Sequence, residues 1–209
     1  NVDKTAGYVE TEALGGQDPY SASKAMADIA AQSWLSSFGN APTAIARAGN
    51  VIGGGDICAD RLIPDLIQSH SSGLKPKLRA PNSIRPWQHV LDCLNGYLIL
   101  IDGVLGGIAD GAWNFGPNEN QNKTVADVAN IAGALWGVEE NWEKDLGNHP
   151  HEASVLTLNS NKARTRLGWS NKLNFEESVE WTVNWYKNII NGSNHADQLE
   201  WAVNQFEQK

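Results

Sequence analysis

"QDPYSASKAMADIAAQSWLSSFGNAPTAIARAGNVIGGGD", residues 17–56, reads as a helix, a strand and a glycine loop in direct succession. Asp18 suits an N-cap and Pro19 the first helical position, and Ala22, Ala25, Met26, Ile29, Ala30 and Trp34 recur at helical spacing. The spacing predicts a helix from Pro19 to about Ser37 and an apolar strand over Thr43–Val51. Tyr20 and Lys24, four apart, share one face of the first turns. An ammonium beside a phenol favours the phenolate, which is how a tyrosine becomes a base near neutral pH. From the pair alone, two ordinary first-turn residues are the preferred reading.

Outward from that stretch the alternation continues. An amphipathic helix is expected near Arg61–Ser71, a short strand near Lys77–Arg79, a helix from about His89 to Asp102, and a strand at "GAWNFGP". Thr124 with Asp127 makes a capping-box-like start for a helix ending near Gly137. Ser154–Leu158 reads as extended, "NKARTRLGW" as a short helix closed by Gly168, and Asn174 caps a long helix running to Gly192. The tail from Ser193 to Lys209 suits one more surface helix. Strands alternating with helices argue for an α/β protein with a parallel sheet.

Composition narrows the function classes. Of 209 residues, 41% are apolar, enough for a core, and the net charge of −8 argues against a nucleic-acid or anionic-membrane surface. No apolar run approaches the roughly 20 residues of a membrane span. Cys58 and Cys93 form no C-x-x-C pair, so no disulfide framework is implied and a reducing cytoplasm fits. The chain opens on Asn1 rather than Met, as a piece of something longer would.

"DPYSASK", "ARAGNVIGGGD", "DRLIPD", "SIRPWQHV", "WNFGP", "NHPHEA" and "SNKARTRLGW", in that order over about residues 8–190, together resemble the extended short-chain dehydrogenase/reductases. Within them the likeness is to the nucleotide-sugar 4,6-dehydratases that act on CDP-glucose. The resemblance implies the C-terminal part of a Rossmann-type doubly wound parallel sheet, joined to a smaller α/β substrate-binding domain. Residues 1–52 would end the NAD-binding domain, residues 53–192 would mainly form the substrate domain with segments returning to the first, and 193–209 would be a tail. The glycine-rich turn that holds the NAD pyrophosphate in such enzymes is not among these residues.

The activity implied is a hydro-lyase reaction with NAD as cofactor, CDP-glucose as substrate and a 4-keto-6-deoxy sugar nucleotide as product, in a homo-oligomeric enzyme. Tyr20 would be the base and Lys24 its partner on the NAD ribose. Asp3 and Lys4 would supply the acid and base for elimination, although Val2 stands where the family has Ser or Thr and Lys4 nearly touches Gly7-Tyr8. A chance Asp-Lys pair stays open there. Asn50 would face the sugar, or simply open the glycine loop as an Asx turn. Arg85 would grip the diphosphate with its planar fork, with Trp87 beside it as packing. Arg61 would reach the nucleotide or sit solvated at a helix start. His151 and Glu152 in "NHPHEA" would contact the substrate, since H-P-H-E is a poor metal pattern on its own. Gly53–Gly55 would let the backbone pass close to the bound sugar.

Overall fold

A computed structural model describes residue 4 and residues 6–39, 41–118, 121–138, 142–149 and 153–209. The elements alternate as the periodicity predicts. Helix α1 (Pro19–Phe38) precedes strands β1 (Ala44–Ala48) and β2 (Asn50–Ile52), then α2 (Leu62–Ser71) and β3 (Lys77–Leu78). Strands β4 (Ile84–Arg85) and β5 (Trp87–His89) lead into α3 (Val90–Leu105) and β6 (Gly111–Phe115). Strand β7 (Lys123–Thr124), α4 (Val125–Trp136), β8 (Glu143–Lys144), α5 (Asn161–Leu167), α6 (Phe175–Ile190) and α7 (His195–Glu207) complete the order.

Local chemistry accounts for the helix ends. The Asp18 carboxylate accepts from Ser21 N at 2.9 Å, and Thr124–Asp127 and Asn174–Glu177 are complete capping boxes. Gly137 and Gly168 close α4 and α5 in the left-handed region, which a glycine enters without a Cβ penalty.

Strand pairing departs from a single expected run over Thr43–Val51. β1 lies parallel to β6, with Arg47 opposite Asn114, whereas β2 lies parallel to β5, with Asn50 opposite Trp87. The break falls at Gly49, where a Cβ would come within 2.6 Å of Pro86 Cγ. Pro86 O accepts from Asn50 N at 3.1 Å, so the chain changes partners at that point. β3 and β8 are parallel and β4 and β7 antiparallel. The extended segment 154–158 contributes only isolated bridges, Val155 to Ile84 and Leu158 to Tyr8.

Two apolar cores result. Leu100, Ala109, Trp113, Phe115, Ala163 and Trp169 unite α3, β6 and α5. The second joins α2, α4 and α6 around Leu66, Val128, Phe175, Val179 and Val183, and takes in Ile52 and Trp87. Each buried large side chain contributes roughly 1.5–3 kcal/mol. Helix α1 is the exception to apolar spacing meaning burial: none of its residues is buried, and Met26, Ile29, Trp34 and Phe38 are exposed. Among the described residues no helix is long and apolar enough to cross a membrane.

Asp92, fully buried in the first turn of α3, joins that helix to the segment before α6. Its oxygens accept from Lys172 N at 2.7 Å and Leu173 N at 3.2 Å. Burial pushes its carboxyl up to about 6, only partly offset by those N–H groups and the Asn171 side chain. The neighbouring His89 imidazole is pulled down to about 4 by burial and stays neutral, its Nδ1 accepting from Leu91 N. A carboxyl raised in the folded state stabilises below the unfolded value, and that contribution is lost as pH climbs through the folded one. Urea titrations of the chain and of Asp92→Asn from pH 3 to 7 are therefore expected to show the wild type losing roughly 3 kcal/mol relative to the variant, most of it by about pH 6.

Candidate functional site

The change of partners at Gly49 opens a cleft of about 1070 Å³ between the start of α1, the β2 end, the loop into α2, and β4–β5. Tyr20, Asn50, Arg61 and Arg85 all line it. Tyr20 is 71% exposed at the rim. Lys24 lies one turn on, its Nζ 5.8 Å from the Tyr20 ring centroid, but is not a lining residue. Asn50 lies just past the carboxyl end of β1, the end where open α/β sheets bind ligands. Arg61 caps α2 through its backbone only, Asp65 N donating to Arg61 O at 3.0 Å. Arg85 on β4 donates from Nη1 to Ile84 O at 2.9 Å. Trp87 is core, 5% exposed, and donates to Lys123 O.

Two expectations fare differently. Lys4 does not line the cleft: its ammonium is paired with the Glu12 carboxylate and lies 5.4 Å from the Tyr8 ring centroid. Glu12 is held below the usual carboxylate range by that hydrogen bond first and by Val9 N second. Asp3, His151 and Glu152 lie outside the described residues. His149 pairs with Asp145 at 3.0 Å, four residues away.

A second cavity of about 250 Å³ adjoins the cleft and shares Asn50, Asp60, Arg85 and Trp87 with it. Lys77 and Arg79 line this cavity and escape a motif-based reading. Their signal was the alternation K-x-R around Leu78, which is 4% exposed: period 2 puts both cations on the face opposite the buried leucine. Three guanidinium groups and an ammonium thus border the joined cavities, together with the carboxylates of Asp18, Asp56, Asp60 and Asp65. Forked guanidinium donors suit a phosphate or diphosphate. Asp60 has φ 61°, a left-handed conformation that Asp adopts at modest cost. Asp65 is raised above the usual carboxylate range by burial first and by the Asp60 charge second.

Packing by itself already calls for glycine at two positions of the loop. A Cβ on Gly54 would meet the Trp185 ring at 2.2 Å, and one on Gly53 would meet Val90 at 2.6 Å. Tyr186 OH donates to Asp56 O at 2.8 Å, so α6 grips the loop twice.

This geometry coincides with similarity to known proteins. A family model described as GDP-mannose 4,6 dehydratase matches residues 1–182. The chain belongs to that family. It is thereby one of the extended short-chain dehydrogenase/reductases. It is 42% identical over 196 residues to the CDP-glucose 4,6-dehydratase of Salmonella typhimurium, covering 89% of this chain and 55% of that protein. It is 28% identical over 209 residues to a dTDP-glucose 4,6-dehydratase of Escherichia coli, covering 92% of this chain and 56% of that protein. The crystal structure of the dTDP-glucose 4,6-dehydratase from Bacillus anthracis in complex with NAD superposes with a TM-score of 0.77 at 27% identity, over 90% of this chain and 57% of that one. The chain therefore spans about half the length of the relatives it matches. The Rossmann-type α/β fold is shared with these enzymes.

Gly54→Ala is expected to destabilise the chain by about 1–3 kcal/mol, since the added methyl enters the space of the Trp185 ring. Combining it with Trp185→Ala should cost less than the sum of the two single changes in denaturant titrations.

Proposed function

We propose that this chain is the substrate-holding and Tyr-Lys part of an NAD-dependent nucleotide-sugar 4,6-dehydratase that converts CDP-glucose to CDP-4-dehydro-6-deoxy-D-glucose. The observation that carries the reading is the single cleft lined by Tyr20, Asn50, Arg61 and Arg85. The preference for a cytidine nucleotide is supported by 42% identity to the Salmonella enzyme, against 28% to the dTDP-glucose enzyme of Escherichia coli.

The donor set fits NAD: a phenol and an ammonium one helical turn apart, the phenol at the cleft rim. Tyr20 and Lys24 would hold its ribose. NAD, when bound, supplies a hydride acceptor that returns the hydride within one turnover. Tyr20 takes the proton of the sugar 4-hydroxyl, with the Lys24 ammonium one helical turn away. Arg85 and Arg61 hold the diphosphate, Asn50 orients the sugar by hydrogen bonding, and Trp87 walls the site with an apolar ring. The 5,6-elimination needs a further acid and base. Lys4 is engaged by Glu12, so the reading assigns it no part in that step as the chain stands.

That engagement favours a second reading, a nucleotide-sugar epimerase whose chemistry stays at C4. The products separate the two: a 4-keto-6-deoxy sugar in the first case, a C4 epimer in the second.

In the full-length protein supplied with NAD and CDP-glucose, Tyr20→Phe is expected to remain folded and to lower turnover by about 10²–10⁴. A folded variant with near wild-type turnover would sink the assignment. Arg85→Ala is expected to raise KM by about tenfold or more with a smaller fall in kcat, the pattern of lost uniform binding. Steady-state kinetics on the two variants check both.

A further inference from the structure

Helix α1 carries the proposed Tyr-Lys pair and is only half-buried, along Ala22, Ala25, Asp28, Ala31 and Leu35, so a polar anchor on that face bears directly on its rotation. Among the described residues, its side-chain hydrogen bonds to another element all run from Asp28 to Arg47. Arg47 Nε reaches Asp28 Oδ2 at 2.6 Å and Nη2 reaches Oδ1 at 3.1 Å, a two-pronged fork. Both side chains are largely covered, with 19% and 10% exposure. The third prong, Nη1, donates to Glu10 O at 3.1 Å. Glu10 in turn accepts from Asn114 N at 2.9 Å, and Asn114 stands opposite Arg47 in the β1–β6 register. Asn114 also donates to Tyr8 O and Asn159 O. Arg47 is thus held from the sheet and from the segment that precedes α1.

Residues 20, 24 and 28 fall on one slowly turning stripe of a helix, about 12 Å from end to end. Locking the azimuth at Asp28 therefore aims Tyr20 and Lys24. Charge adds a second effect. Lys24 and Asp28 are four apart, a spacing at which an ammonium and a carboxylate meet. With Arg47 present, both Asp28 oxygens are already taken. Burial works to raise the Asp28 carboxyl, but the Arg47 and Gln32 hydrogen bonds outweigh it and hold the group ionised below the usual range. Among the described residues the Glu10 carboxylate and the Lys162 ammonium of α5 also face this network, and Lys162 in turn feels Arg166 and Asp110.

We propose that Arg47 is a positioning residue for the Tyr-Lys pair: it locks the rotation of α1 through Asp28 and keeps that carboxylate from drawing Lys24 away from Tyr20. The inference rests on the Tyr20–Lys24 reading above, and reaches the chemistry only through Asp28.

The test is the pH profile of turnover in the full-length protein with NAD and nucleotide sugar, for Arg47→Ala, Arg47→Lys, Asp28→Ala and the Arg47→Ala/Asp28→Ala double variant. Arg47→Ala is expected to lower kcat near neutral pH by about 10- to 100-fold with little change in KM, and to displace the profile to higher pH. Removing Asp28 as well should bring the profile back toward its wild-type position, because no carboxylate remains to capture Lys24. A wild-type profile in Arg47→Ala, or the same displacement in the double variant, overturns the proposal. Arg47→Lys keeps the charge without the fork and serves where the alanine variant does not fold; it should show a smaller loss and little displacement. Amide hydrogen exchange across α1 gives a readout independent of catalysis: Arg47→Ala should speed exchange in the helix, and unchanged exchange counts against the clamp. If Tyr20→Phe proves fully active, the functional reading fails while the exchange result still decides the clamp.

Discussion

The cleft depends on one close approach, Gly49 against Pro86. There the chain leaves the β1–β6 ladder and joins β5, and no side chain larger than hydrogen fits between the two backbones. The hydrogen bond from Asn50 N to Pro86 O fixes the crossing. Everything that lines the site follows from it. Asn50 is turned to the mouth, and Arg85, the residue before Pro86, is brought to the same wall. The glycine loop follows β2 and leads to Arg61, which lines the same cleft.

Two apolar cores build the molecule, and a buried polar group links their elements. Asp92 takes two backbone N–H groups from the segment leading into α6, while α6 itself belongs to the other core. A buried carboxyl is a costly joint, since its charged form lacks water. The directional bonds it makes set where α6 starts, which a greasy contact would leave less well defined. At the C-terminal end, Phe206 of α7 is buried and Lys172 donates to its carbonyl at 3.0 Å, closing the same region from outside.

Features that depend on a few neighbouring residues were legible in the sequence. The Asp18 cap, the Thr124–Asp127 box and the closing glycines at 137 and 168 each need only a local turn to form, so their residue types announce them. The α/β alternation and the Tyr20–Asn50–Arg61–Arg85 grouping were legible too, the latter through resemblance. What stayed hidden depends on remote partners. Nothing between Thr43 and Val51 indicates that β6 and β5 compete for the strand. Met26, Ile29 and Trp34 keep helical spacing yet are exposed in this chain, which spans about half the length of its relatives: period reports a face and not what covers it. Lys4 looked available until Glu12, eight residues on, took its charge. Gly54 read as room for a sugar, and the second demand on that position, the Trp185 indole of α6 packed against it, was not visible.

That indole has a consequence for portability. The loop at 53–60 carries part of the cleft wall, yet its shape is held by Trp185 and Tyr186 from α6. Loop and helix are therefore one transplantable unit, and neither is complete alone. Grafting the loop into a relative without the ring beneath Gly54 would leave a flexible glycine run over an unfilled hollow, while a larger residue at 54 over the native ring would lever the wall outward. Variation at the cleft mouth in such enzymes should then be sought in pairs, with a change in the loop matched by one on the helix that never touches substrate.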